Sequence, residues 1–184
     1  MNKIRFNSPV VLGFAFISAC ALAAGYLTNG QSNILLFSVY KGSFKDPLFY
    51  VRLFTHVFGH ANISHYSNNM ILLLLVGPLL EEKYGSGRLA GIMAAVALIT
   101  GIVHILLPGN SALLGASGIV FAFILLSSVT GSGKGIPLTT VIVAVIYITQ
   151  QVYDGVTAAD NISQLTHIIG GTIGAVYGLT MKRK

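Results

Sequence analysis

Charge is scarce in this chain: Asp, Glu, Lys and Arg together make up 9% of its 184 residues, and only five of them are acidic. An ordinary soluble domain needs a hydrated, charged surface, so this shortage excludes one. Cysteine occurs once, at Cys20, which excludes an internal disulfide and a thiolate cluster for a metal. The net charge of +6 is not interleaved with aromatic residues in the manner of a nucleic-acid groove. It reads as membrane topology and contact with anionic lipid.

What the chain has instead is apolar length. Hydrophobic residues make up 54% of it and the mean hydropathy is +0.78, more greasy surface than one small core can bury. Apolar runs at about 8–27, 63–82, 89–107, 117–131, 136–153 and 162–180 mostly approach the ~20 residues that cross ~30 Å of hydrocarbon. The expectation is an all-α membrane protein, with six transmembrane helices forming a single domain over residues 1–184. Short connections make sequential helices antiparallel neighbours. With the N-terminus inside, Lys3, Arg5, Lys83, Arg88, Lys134, Lys182, Arg183 and Lys184 all fall inside, and Lys41, Lys45 and Arg52 fall outside. The expected location is a bacterial cell membrane with both termini cytoplasmic.

Two segments carry a second reading. Residues 1–24 have a basic start and small residues like a secretory signal, and Ile17-Ser18-Ala19-Cys20 resembles a lipoprotein processing site. The apolar run continues through Cys20 to Leu27, a length that favours retention as a span. The stretch from Tyr26 to His60, with Gly30, Gly42, Pro47 and several aromatics, is expected as a loop at the outer lipid interface.

Ser117 and His167 are polar residues in apolar surroundings, where such groups are costly and usually functional. A serine with a histidine is the minimal pair for nucleophilic acyl transfer. Counting back 14 residues from the inner boundaries at Lys83, Gly131 and Met181 reaches Asn69, Ser117 and His167. At ~1.5 Å per residue all three share a level ~21 Å above the inner boundary, ~10 Å below the outer one. The fourth run is too short to span, so the 108–116 segment is expected to dip inward as a re-entrant loop. Ser117 then opens a helix, beside the unpaired N–H groups of its first turn.

In the sixth run Gly170, Gly174 and Gly178 recur every four residues, a small-residue stripe that lets two helices approach closely. His167 precedes Gly170 by three and projects from nearly the same face. If the fourth helix is its neighbour, His167 reaches Ser117. Glycine stripes are also common in bundles with no catalysis. His56, His60 and His65 permit a zinc reading, but no H-E-x-x-H and no carboxylate accompanies them. No cofactor or metal is expected, and His104 has no identifiable partner.

Arg52-Leu53-Phe54-Thr55-His56, His60, His65, Asn69, Glu82-Lys83-Tyr84-Gly85-Ser86-Gly87, Gly115-Ala116-Ser117-Gly118, and His167 with Gly170 and Gly174 form an ordered set. From about Val51 onward the chain resembles the rhomboid intramembrane serine proteases. The resemblance implies a Ser117–His167 dyad without a third acidic residue; Asp46, Glu81, Glu82, Asp154 and Asp160 all lie away from the inferred depth of Ser117. It implies that His65 and Asn69 stabilise the oxyanion with the Ser117 N–H; on the residues alone both could instead bond neighbouring helices. It makes Arg52 and Glu82 structural, on opposite sides of the membrane. Val51 stands where the family usually has tryptophan, and Phe121 where it commonly has tyrosine; Phe121 can still stack on His167.

The implied activity is endoproteolysis of a transmembrane segment near the outer face, at small residues followed by helix breakers. The loop from Asp154 to Asn161 is then a lid and the fifth helix a lateral gate. Two other classes remain: an inactive relative that binds transmembrane helices, and a small transporter. The dyad argues against the first, and the absence of acidic or paired basic residues within the spans argues against the second.

Overall fold

The computed structural model describes residues 6–129, 138–157 and 161–180. Lys3, Arg5, Lys134, Lys182, Arg183 and Lys184, on which the expected orientation leans, lie outside these residues. So do the depth markers Gly131 and Met181. The elements of the described chain are helices: α1 Pro9–Leu27, α2 Gln31–Leu36, α3 Pro47–Thr55, a 3-10 turn at His56–Phe58, α4 Ile63–Tyr84, α5 Ser86–Leu106, α6 Ser117–Val129, α7 Leu138–Thr157 and α8 Asn161–Thr180. An antiparallel bridge between Val39 and Leu113 is the one strand-like pairing among the described residues.

Helices α1, α4 and α5 are each long and apolar enough to cross a membrane, with mean hydropathies of 2.1, 1.3 and 2.3; α6 is apolar but short. Large apolar side chains point outward as well as inward: Ile71, Leu75 and Leu79 on α4, Val145 and Ile146 on α7, and Val176 on α8 are all exposed. That distribution suits hydrocarbon as the surrounding medium. The core forms around α6, whose Ile119, Ala122, Phe123 and Leu126 are fully buried. It packs most extensively on α8 and also touches α4, α5 and α7.

Helix ends show how distant segments are tied together. Ser8 precedes α1 with φ 52° and makes no side-chain cap. The buried Glu81 of α4 takes over, its two carboxylate oxygens accepting the Val10 and Val11 N–H groups at 3.0 Å each and Oε1 also accepting the Ser86 hydroxyl at 2.7 Å. A carboxylate there satisfies orphan donors and favours the helix dipole. Glu82, the residue singled out from the sequence, is exposed, so the structural contact belongs to its neighbour. Gly85 alone joins α4 to α5, at φ +85°, a backbone conformation that costs other residues energy.

The structure corrects three expectations. The stretch from Tyr26 to His60 is no simple loop, because α2, α3 and the 3-10 turn lie within it. Asp46 N-caps α3 by accepting the Leu48 N–H at 2.9 Å, and Pro47 occupies the first turn, where its missing N–H costs nothing. The expected lid from Asp154 to Asn161 is shortened, since α7 continues through Gly155 to Thr157; residues 158–160 lie outside the described chain. One glycine inside a helix costs only ~1 kcal/mol, too little to stop it. His104 has a partner after all: its Nε2 lies 3.0 Å from the Ser111 carbonyl.

Candidate active site

The seam between α6 and α8 fixes the site. A Cβ added to Gly170 would lie 2.2 Å from the Gly118 carbonyl oxygen, and one added to Gly174 would lie 2.0 Å from that of Ala122. No side chain fits in either place, so the two backbones touch directly. Gly178 is less tight, its added Cβ 3.0 Å from the Val129 Cβ. One turn before Gly170, His167 faces α6 at the level where that helix begins. Its Nε2 stands 2.7 Å from the Ser117 hydroxyl oxygen. In the neutral pair the hydroxyl donates to Nε2, the geometry a general base requires. Phe121, one turn along α6, lies with its ring 4.7 Å from the imidazole at 47° and packs against it. Both Ser117 and His167 are half-buried.

Ahead of Ser117 the chain is irregular and is tied down by a few hydrogen bonds. Leu113 and Val39 exchange both backbone hydrogen bonds at 2.9 Å, and the Gly115 N–H donates to the His56 carbonyl at 3.0 Å. Gly115 has φ +131°, a region that favours glycine, and a Cβ there would strike the His65 ring at 2.8 Å from Nε2. The first intrahelical bond of α6 runs from the Val120 N–H to the Ala116 carbonyl, so the N–H groups of Ser117 and Gly118 precede the helical ladder.

His65 comes to this place from the first turn of α4. Asn62 caps that helix, accepting the His65 N–H at 2.8 Å. His65 Nδ1 faces the Ala61 N–H at a long 3.5 Å, an arrangement that leaves the proton on Nε2, the nitrogen turned toward Gly115. Asn69, one turn further and buried, donates its amide to the His65 carbonyl at 3.0 Å. It supports the turn that carries His65.

Behind these residues stands a buried polar scaffold. The His60 ring meets His65 edge-on at 5.0 Å and Tyr66 at 5.4 Å, while its Nδ1 donates to the Phe58 carbonyl at 3.0 Å. His56 Nδ1 donates to the Arg52 carbonyl at 3.1 Å. Burial pushes the pKa of His56 down to about 4, and burial with the neighbouring His65 pushes His60 down to about 4. Arg52 is buried, paired with Asp46 at 2.8 Å, stacked over Tyr40 at 4.5 Å and bonded to the Leu35 carbonyl at 3.4 Å. The Arg52 hydrogen bond holds the Asp46 carboxyl below its ordinary range. Thr55 bonds the Leu36 carbonyl. Among the described residues, no three His, Cys, Asp or Glu side chains are grouped to share a metal.

The structure therefore brings Ser117, His167, Phe121, His65 and Gly115 together, with Gly118, Gly170 and Gly174 making the approach possible. Asn69 lies one turn behind His65. Sequence reasoning passed over Asp46, Glu81 and the steric role of Gly115. Asp46-Pro47 carries a readable helix-start signal; Glu81 as a cap for a helix 70 residues away carries none.

A family model described as a rhomboid domain matches residues 48–184. Among curated proteins, the chain is 28% identical over 109 residues to Rhomboid-like protease 3 of Toxoplasma gondii, covering 59% of this chain and 41% of that protein. It is 28% identical over 137 residues to Rhomboid-related protein 1 of Caenorhabditis elegans, covering 69% of this chain and 38% of that protein. The matched region thus spans about two fifths of the length of each relative.

Proposed function

The chain belongs to the rhomboid family of integral membrane proteins, and from that premise we propose that it is an intramembrane serine endopeptidase. The observation that carries the proposal is the 2.7 Å contact between Ser117 and His167 at the start of a helix. Ser117 Oγ attacks the scissile carbonyl as its proton passes to His167 Nε2. The tetrahedral oxyanion takes hydrogen bonds from the Ser117 N–H and His65 Nε2–H, with Asn69 beside them. His167 then protonates the leaving amine, and water admitted from the outer side hydrolyses the acyl-enzyme.

In this proposal α1, α4, α5, α6, α7 and α8 are six spans, with both termini on the side richer in Lys and Arg. Helix α6 covers only ~20 Å of ~30 Å of hydrocarbon, so residues 107–116 dip inward. Their bonds to Val39, His56 and His104 supply part of the internal satisfaction that irregular backbone needs at depth. A single transmembrane segment enters beside α7, unwinds near its outer end and is cut there. Both named relatives are eukaryotic and give no support to the expected bacterial cell membrane.

The competing reading is an inactive relative that retains transmembrane helices. Co-reconstitution with a model single-span substrate, followed by mass spectrometry of the products, separates the two. Proteolysis predicts a cut within the outer third of the span, absent in Ser117→Ala. An intact substrate that nevertheless copurifies with wild type overturns proteolysis in favour of helix binding.

A further inference from the structure

Away from the dyad, a lateral groove of about 390 Å³ separates α1 from α5. Gly13 and Ile17 form one wall, Ala90 and Ala94 the other, Phe58 the roof, and Ile119 of α6 the back; every residue lining it is apolar. The small residues keep it open. A Cβ added to Gly13 would meet nothing within 4 Å. From Pro9 to Ile17 the groove follows α1 for ~12 Å at ~1.5 Å per residue.

Both walls belong to helices long and apolar enough to cross a membrane, and exposed Ile17 and Ala94 stand at the opening. What faces it is therefore bilayer hydrocarbon. Its volume spread over its length gives a cross-section of roughly 30 Å², against about 90 Å² for a helix 10–12 Å across. A transmembrane segment does not fit, nor does a helix of a second copy; a polymethylene chain does. We infer that the groove binds one lipid acyl chain as a retained ligand, distinct from freely exchanging boundary lipid.

Hydrocarbon on both sides leaves no hydrophobic preference between groove and bilayer. The preference comes from dispersion contacts with three walls and a roof, which an unfilled gap would forfeit. The bound chain also touches the reactive region indirectly. Ile119 lies two residues past Ser117, and the roof includes Val57, next to the His56 carbonyl that holds the Gly115 N–H. The inference rests on the membrane setting of α1 and α5 and stands whether or not the chain is a protease.

The test is reconstitution in phosphatidylcholine vesicles containing a phosphatidylcholine with a mid-chain diazirine, then photolysis and peptide mapping. Labelling at Ile17, Met93 and Ala94 is expected to exceed that at Ile71 and Leu75, exposed on α4, by several-fold. Gly13→Leu, which fills the groove from open space, is expected to abolish the excess while leaving α4 labelling and thermal unfolding unimpaired. Should that variant fold poorly, Ala94→Leu gives the same readout from the other wall. Equal labelling on α4 and in the groove, or an excess that persists in a folded filled variant, overturns the inference.

Discussion

Toward α8, helix α6 meets its neighbour backbone to backbone, at Gly170 against Gly118 and Gly174 against Ala122, with no side chain between. Toward α4 and the outer segment, the chain leading into α6 is held by hydrogen bonds instead: Leu113 to Val39, Gly115 to His56, His104 to Ser111. The first flank sets Ser117 against His167, the proposed nucleophile and base. The second sets His65 and Gly115 around the place where negative charge would develop. Close packing tolerates no added volume, whereas each lost partner in a hydrogen-bonded scaffold costs about 1–3 kcal/mol. The two halves of the site should therefore fail in different ways.

The largest effect is expected on the packed flank. Gly174→Val drives a branched side chain into the Ala122 carbonyl, and the folded bundle should be lost, seen as aggregation during detergent extraction and as early thermal unfolding. Gly178→Ala, where the neighbouring atoms stand a full ångström further off, should fold, and the contrast between the two sharpens the seam argument.

On the bonded flank the expected loss is in rate. His65→Ala or Asn69→Ala should fold and cut a transmembrane substrate about 100-fold more slowly, the ~3 kcal/mol typical of one lost oxyanion donor. A folded Asn69→Ala with unchanged turnover would confine that residue to supporting the turn of α4.

Acid should weaken the outer scaffold before the seam. His56 and His60 stay neutral in the fold down to about pH 4, whereas an unfolded histidine takes a proton near 6.5. The unfolded state thus binds more protons in that window, and stability falls as pH drops from about 6.5 toward 4. For His56 alone the loss by pH 5 is about 2 kcal/mol. Thermal unfolding across that range checks it, and Gln at either histidine should flatten the slope. Asp46→Asn removes the counter-charge of the buried Arg52 guanidinium and leaves it Tyr40 and the Leu35 carbonyl; Tm should fall clearly while activity changes little.

Legibility in the sequence followed the same division. The glycine stripe, the serine opening a short helix and the histidine one turn before Gly170 are local patterns with a fixed period, so the meeting of Ser117 with His167 could be reasoned from spacing. The outer segment could not be treated that way. Its elements are short, and its bonds join Val39 to Leu113 and Arg52 to Leu35 across distances no periodicity encodes. Asp46-Pro47 was a legible start for α3 that composition had obscured. The capping of α1 by Glu81 depends on the fold already being formed.

The central claim is that His167, packed against Phe121 and 2.7 Å from the Ser117 hydroxyl, makes Ser117 a nucleophile. Labelling detergent-solubilised protein with a fluorescent fluorophosphonate tests it most directly. Wild type should label, while folded Ser117→Ala and His167→Ala should not. A folded wild type that stays dark, or a His167→Ala variant that labels as fast as wild type, would contradict the account.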